Sequence, residues 1–99
     1  MPVKARTVRL TPLAEADLED IWIYTFDRWS LEQAERYVGD LVMAFERLAR
    51  REWVGRPSRA GEGYWRYLVG SHVVFYRETA ETLDVIRVLH QRMDVDRHL

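Results

Sequence analysis

The chain has 99 residues, 47% of them hydrophobic and 31% charged, with a formal net charge of −1; this is one globular domain with one modest core, and it is not basic enough for a general nucleic-acid binder. It has no cysteine, which excludes disulfides, a thiolate nucleophile and a thiolate metal site. No apolar run approaches the roughly 18 residues of a membrane span, and the start MPVKARTVRL lacks the apolar segment of a secretory signal, so the expected location is the cytoplasm and no membrane contact is expected.

Val3 to Leu10 alternates, with Arg6, Val8 and Leu10 on one side and Ala5, Thr7 and Arg9 on the other. This predicts a first strand. Thr11-Pro12 then predicts a helix start, because threonine is a good N-cap and proline is tolerated at the first helical position. The helix is expected to run from Pro12 to about Arg28, since Ala14, Leu18, Ile21, Trp22, Thr25 and Trp29 recur at spacings of three and four. Ile23, Tyr24 and Phe26 lie off this stripe and widen the apolar surface.

Ser30, with Gln33 three residues later, makes a capping box for a second helix. Its stripe is Ala34, Tyr37, Val38, Leu41, Phe45 and Leu48. The short link between the helices predicts an antiparallel hairpin. Gly39 interrupts the second helix at a cost of about 1 kcal/mol relative to alanine, which a close helix–helix crossing would explain. Trp53 to Gly63, with three glycines and one proline, reads as a loop.

Tyr64 to Asp94 breaks at Gly70-Ser71 and at Glu78-Thr79-Ala80-Glu81 into YWRYLV, HVVFYR and TLDVIRVLH. These segments are rich in β-branched and aromatic residues and their breaks are short, so they predict a three-stranded antiparallel meander. The expected fold class is α+β, a single domain over residues 1–99: N-terminal strand, antiparallel helical hairpin, then the meander.

By alternation, Trp65, Tyr67 and Val69 oppose Tyr64 and Leu68. Val73 and Phe75 oppose Val74 and Tyr76, and Val85 and Leu89 oppose Ile86 and Val88. Both sheet faces are therefore apolar, whereas one helical hairpin covers one face. The expectation is an exposed apolar sheet face that binds another protein. The alternative is a twisted sheet wrapped around its own core, with loop tryptophans closing the back.

Little in the chain carries chemistry by itself. His72, His90 and His98 lack metal-ligand spacing and have no acidic cluster with them. His90, at a strand end, reads as a hydrogen-bonded structural histidine before it reads as a catalyst. Ser71 has no glycine elbow, and Gly55, Gly61 and Gly63 have the wrong spacing for a phosphate loop. Arg66, Arg87 and Arg92 read as surface ion-pair formers, or, if convergent, as a clamp for phosphate or carboxylate. No catalytic residue, metal or cofactor is assigned.

The segments SHVVFYR and IRVLHQRMD, with TPLAEADLEDIWIYTFDRWS upstream, resemble the ParE branch of the RelE/ParE toxin superfamily over nearly the whole chain. The resemblance implies a RelE/ParE-like fold and a bacterial type II toxin. It further implies inhibition of DNA gyrase by direct binding, and neutralisation by a ParD-like antitoxin whose C-terminal segment wraps the toxin in a hetero-oligomer.

The sister RelE branch cleaves mRNA on the ribosome with basic residues and commonly a C-terminal tyrosine. Arg66 fits one family arginine, the strand-end arginine falls at or near Gln91, and Asp96 stands near the place of the tyrosine. RNA cleavage needs a proton acceptor for the ribose hydroxyl and positive charge for the phosphate; the first is missing unless His90 serves. Binding is favoured over ribonuclease chemistry, with no sequence-specific nucleic-acid binding expected.

By family position, His90, Arg92, Met93 and Asp94 are expected to face the target. Trp65, Arg66 and Tyr67, with Trp22 and Trp29 on the helical hairpin, are expected to meet the antitoxin. The alternatives are a ribosome-dependent mRNA endonuclease, which would need Arg66, Arg92 and His90 to converge, and an inactive relic that only forms the complex.

Overall fold

The computed structural model describes residues 5–93; the start of the expected first strand at Val3, and Asp94, Asp96 and His98, lie outside them. The chain runs β1 (Thr7–Leu10), α1 (Pro12–Arg28), α2 (Leu31–Ala49), β2 (Arg56–Pro57), β3 (Trp65–Val69), β4 (His72–Glu78) and β5 (Thr82–His90). Both helix starts form as their caps predict. Thr11 Oγ1 accepts from the Ala14 N–H at 3.0 Å, and Ser30 Oγ accepts from the Gln33 N–H at 3.1 Å.

The sheet order is β1-β5-β4-β3-β2. β1 pairs parallel with β5, and every other pair is antiparallel. The predicted meander is thus the middle of a five-stranded mixed sheet. β2 escapes a sequence reading because two residues, one of them proline, carry no alternation.

Both helices pack on one face. Ala14 and Ile21 from α1, and Leu41, Phe45, Leu48 and Ala49 from α2, meet Val74, Tyr76, Leu83, Val85 and Val88. Trp53, Trp65, Tyr67 and Val69 extend this core, and Trp53 stacks on Tyr67 with ring centres 5.5 Å apart. The other face holds a small second cluster, Val73, Phe75 and Leu89. Both faces are apolar, as expected, but the second is not the open surface anticipated: its three members are at most 4% exposed, and Leu68 in β3 is the exposed large apolar side chain of the strands.

Two local expectations are corrected. Phe75 pairs with Arg87 while Tyr76 pairs with Val85, so Ile86 is an extra residue in β5. This bulge shifts the alternation, and Val85 and Val88 face the helices together while Leu89 faces away. Gly39 has nothing within 4 Å of the position a Cβ would take, so no close helix crossing accounts for it.

Arg6 is buried just ahead of β1. Its Nε and Nη2 donate to the carbonyls of Ala49 and Leu48 at 3.2 and 2.7 Å, and its Nη1 pairs with Glu78. One guanidinium thereby joins the end of α2 to β4. β5 outruns β1, which pairs only with Thr82 to Val85. Past that point Thr11 Oγ1 donates to the Ile86 carbonyl at 2.7 Å, and Asp17 accepts the Val88 N–H at 2.9 Å.

Candidate functional site

The β3–β4 turn is two residues, with Gly70 at φ +59° in its first position; only glycine takes that conformation without strain. The turn sets His72 directly across from His90, with ring centres 5.4 Å apart and edge-on. Tyr37 reaches over from α2. Its hydroxyl lies 2.6 Å from His72 Nδ1 and accepts the Ser71 N–H at 3.0 Å. His90 Nδ1 accepts the Arg92 N–H at 3.2 Å. Burial pushes the His72 pKa below its ordinary value; His90 adds to the effect and Asp17 opposes it.

Beside the pair is a depression of about 190 Å³ lined by Asp17, Asp20, His72, Arg87, His90 and Met93, among others. The Arg87 guanidinium is gripped by both Asp17 oxygens, at 2.8 Å each. Acid–base side chains meet here, with Nδ1 of each ring and the nearby guanidinium already held by protein partners. Among the described residues, no group of three or more metal-ligating side chains is placed to hold an ion.

The second feature is the outer surface of the helical hairpin. Trp22 stacks on Phe26 with ring centres 5.3 Å apart. Ile23 and Phe26 are each 45% exposed, and Trp29, just past the end of α1, is 75% exposed. Tyr24 is exposed under the Arg28 guanidinium. A run of large apolar side chains open to water on a small domain marks a protein-binding surface.

Comparison with known proteins places this geometry. The family model described as "ParE toxin of type II toxin-antitoxin system, parDE" matches residues 8–95. Toxin ParE1 of Mycobacterium tuberculosis is 51% identical over 92 residues, covering 91% of this chain and 94% of the relative. The chain belongs to the ParE toxin family of type II toxin–antitoxin systems. Toxin ParE1 of Caulobacter vibrioides is 45% identical over 92 residues, covering 92% of this chain and 95% of the relative. Among solved structures, the chromosomal ParDE system from P. aeruginosa has the same fold, with a TM-score of 0.76 at 21% identity over 87% of this chain and 96% of that one. A chain of the toxin–antitoxin complex RelBE2 from Mycobacterium tuberculosis superposes with a TM-score of 0.65 at 28% identity over 89% of this chain and 100% of that one.

In this ParE-family toxin the residues singled out from the sequence fall into three places. His90, Arg92 and Met93 lie together at the end of β5, with Arg92 and Met93 exposed; Asp94 is outside the described residues. Trp22 and Trp29 belong to the hairpin surface. Trp65 and Tyr67 are half-buried and turned toward the helix-side core. Arg66 points the other way, with its guanidinium 5.9 Å from the centre of the Phe75 ring, and lines a different depression from His90. The structure therefore does not bring Arg66, Arg92 and His90 into one clamp.

Sequence reasoning missed Ile23 and Phe26 as surface candidates, although their place off the core stripe was the signal. The Tyr37–His72 bond and the Asp17–Arg87 pair left no local signal, because they join residues 35 and 70 positions apart.

Proposed function

We propose that this ParE-family toxin works by binding a protein target, DNA gyrase, and is held inactive by a ParD-like antitoxin seated on the outer surface of the helical hairpin. The observation that carries the antitoxin part is the open run Ile23, Phe26 and Trp29, with the half-buried Trp22 stacked on Phe26. Water contact with apolar area costs about 25 cal/mol per Å², and a disordered segment that folds onto such a run relieves that cost. In this proposal the target-facing residues are His90, Arg92, Met93 and Asp94.

Gyrase as the target rests on the resemblance to the ParE branch. The geometry supports binding over RNA cleavage: Asp17 holds the Arg87 guanidinium, and Arg66 is on another part of the sheet from His90. The test is supercoiling by purified gyrase with the toxin added. Inhibition at near-stoichiometric toxin, lost in Arg92→Glu but kept in Trp29→Asp, is the expected pattern; full supercoiling in stoichiometric excess of folded toxin defeats the reading.

One observation favours a second reading. The His72–His90 pair and the Tyr37 hydroxyl form an acid–base cluster, as a ribosome-dependent mRNA endonuclease would need. Primer extension on translated mRNA separates the two. Codon-positioned cuts that vanish in His90→Ala would replace the gyrase reading.

A further inference from the structure

His72 of β4 and His90 of β5 make a pairing that their spacing in the sequence does not show, because they stand directly opposite in the strand register. The next pair toward the strand ends is hydrogen-bonded, with the Gln91 N–H donating to the Ser71 carbonyl at 2.9 Å. Bonded and non-bonded pairs alternate along an antiparallel ladder. His72 and His90 therefore occupy a non-bonded position, where facing side chains stand closest. Their ring centres are 5.4 Å apart.

That separation suits one metal ion shared by both rings. Imidazole nitrogen binds zinc at about 2.0–2.1 Å with tetrahedral angles, and a nitrogen lies about 1.1 Å from its ring centre, so two rings on one ion have centres about 5.2 Å apart. Nδ1 of each ring is held from its own side, by the Tyr37 hydroxyl and by the Arg92 N–H. Nε2 of neither ring has a hydrogen-bond partner among the described residues, and neither is shut away from solvent. The adjoining depression adds a favourable charge for a cation: Asp17 offsets the Arg87 guanidinium, and Asp20 supplies a further carboxylate.

We propose that His72 and His90 bind one divalent transition-metal ion of the imidazole-preferring class, such as zinc or nickel, through Nε2 of each ring, with water in the remaining positions. A ring bound through Nε2 carries its proton on Nδ1. At His72 the Tyr37 oxygen accepts that Nδ1–H, while the hydroxyl's own proton turns to the Val69 carbonyl 3.4 Å away. At His90 the cost is one long bond, because Nδ1 gives up the exposed Arg92 N–H at 3.2 Å. Two protein ligands make an exchangeable site, unlike the closed four-ligand sites that hold a fold together. Magnesium and calcium take oxygen ligands and do not suit it. The proposal stands independently of the gyrase and antitoxin readings.

The experiment titrates the whole untagged chain with zinc chloride and with nickel chloride by calorimetry, at about pH 7.5, above the ordinary histidine pKa. The expected result is one ion per chain. Nitrogen-15 spectra with zinc should show Nε2 of both His72 and His90 shifting, and the Arg92 amide shifting with them. Two imidazoles fixed side by side gain about 100-fold over one, so His72→Gln and His90→Gln should each weaken binding by about that factor, while His98→Gln matches wild type. Circular dichroism confirms folding, and His90→Gln, which leaves the Tyr37 contact in place, remains informative if His72→Gln loses stability.

Absence of zinc and nickel binding at about 1 mM ion would overturn the proposal. So would binding that persists unchanged in both His72→Gln and His90→Gln, or that is lost in His98→Gln alone. An equal response to magnesium chloride would overturn it in favour of a carboxylate site that does not use the rings.

Discussion

Replacing Arg6 by alanine tests how the strands and helices are joined. Arg6 donates charge-assisted bonds to the carbonyls of Leu48 and Ala49, at 2.7 and 3.2 Å, and pairs with Glu78. Both carbonyls keep a main-chain donor, from Arg51 at 3.1 Å and from Arg6 itself at 3.3 Å. Neither is left bare by the substitution, so each lost bond is set at about 1.5 kcal/mol, the low end for a charged donor. The Glu78 carboxylate is 35% exposed, and its share is below about 1 kcal/mol. The expected loss is about 3 kcal/mol, out of roughly 5–15 for a domain of this size. With an unfolding entropy of about 2.1 cal/mol/K per residue, the melting temperature should fall by about 15 °C. Urea and thermal unfolding followed by circular dichroism measure both quantities. Arg6→Lys should lose about half as much, because an ammonium cannot fork to two carbonyls. Glu78→Gln should lose less than 1 kcal/mol. An Arg6→Ala protein within 1 kcal/mol of the parent, or a Glu78→Gln protein as unstable as Arg6→Ala, would refute the assignment of the effect to the carbonyl bonds.

Gly39→Ala should stabilise the fold by about 1 kcal/mol, since a methyl there meets nothing and helix propensity alone decides; a lower melting temperature would show a contact the open space does not reveal. Gly70→Ala should destabilise it by about 1–3 kcal/mol, because φ is +59° and the new Cβ would lie 2.8 Å from the Tyr37 hydroxyl. The pKa of His72 is depressed in the folded chain, so the unfolded chain binds the proton more readily. Stability is therefore intact above the ordinary histidine pKa of about 6.5 and is lost as pH falls through the lower folded value. His72→Gln should flatten the pH dependence of urea unfolding in that window, and an unchanged slope would contradict the burial argument.

How much of this was legible from the residues depends on range. The helix starts at Thr11 and Ser30 follow from side chains bonding three residues ahead, and the meander follows from alternation and short breaks. The bulge at Ile86 did not, because alternation shows which residues fit a strand but not where one is inserted. The same limit misplaced the apolar excess. Trp65 and Tyr67 looked available to a partner until the loop tryptophan Trp53 and the helices closed over them. The surface that stays open, Ile23 and Phe26 beside Trp22, was written in the sequence as apolar residues outside the core stripe. His72 and His90 gave no sign of each other, since their pairing comes from standing across the ladder.

Asp17 does more than hold Arg87. A strand that extends past its neighbour leaves main-chain groups on which foreign strands can template, the route to uncontrolled stacking of chains. In this molecule the overhang of β5 is stoppered by a carboxylate from α1 at Val88 and a hydroxyl at Ile86. Among the described residues the rim left open to strand addition is the opposite one, where β2 matches only Trp65 and Arg66 and Tyr67 to Val69 have no ladder neighbour on that side.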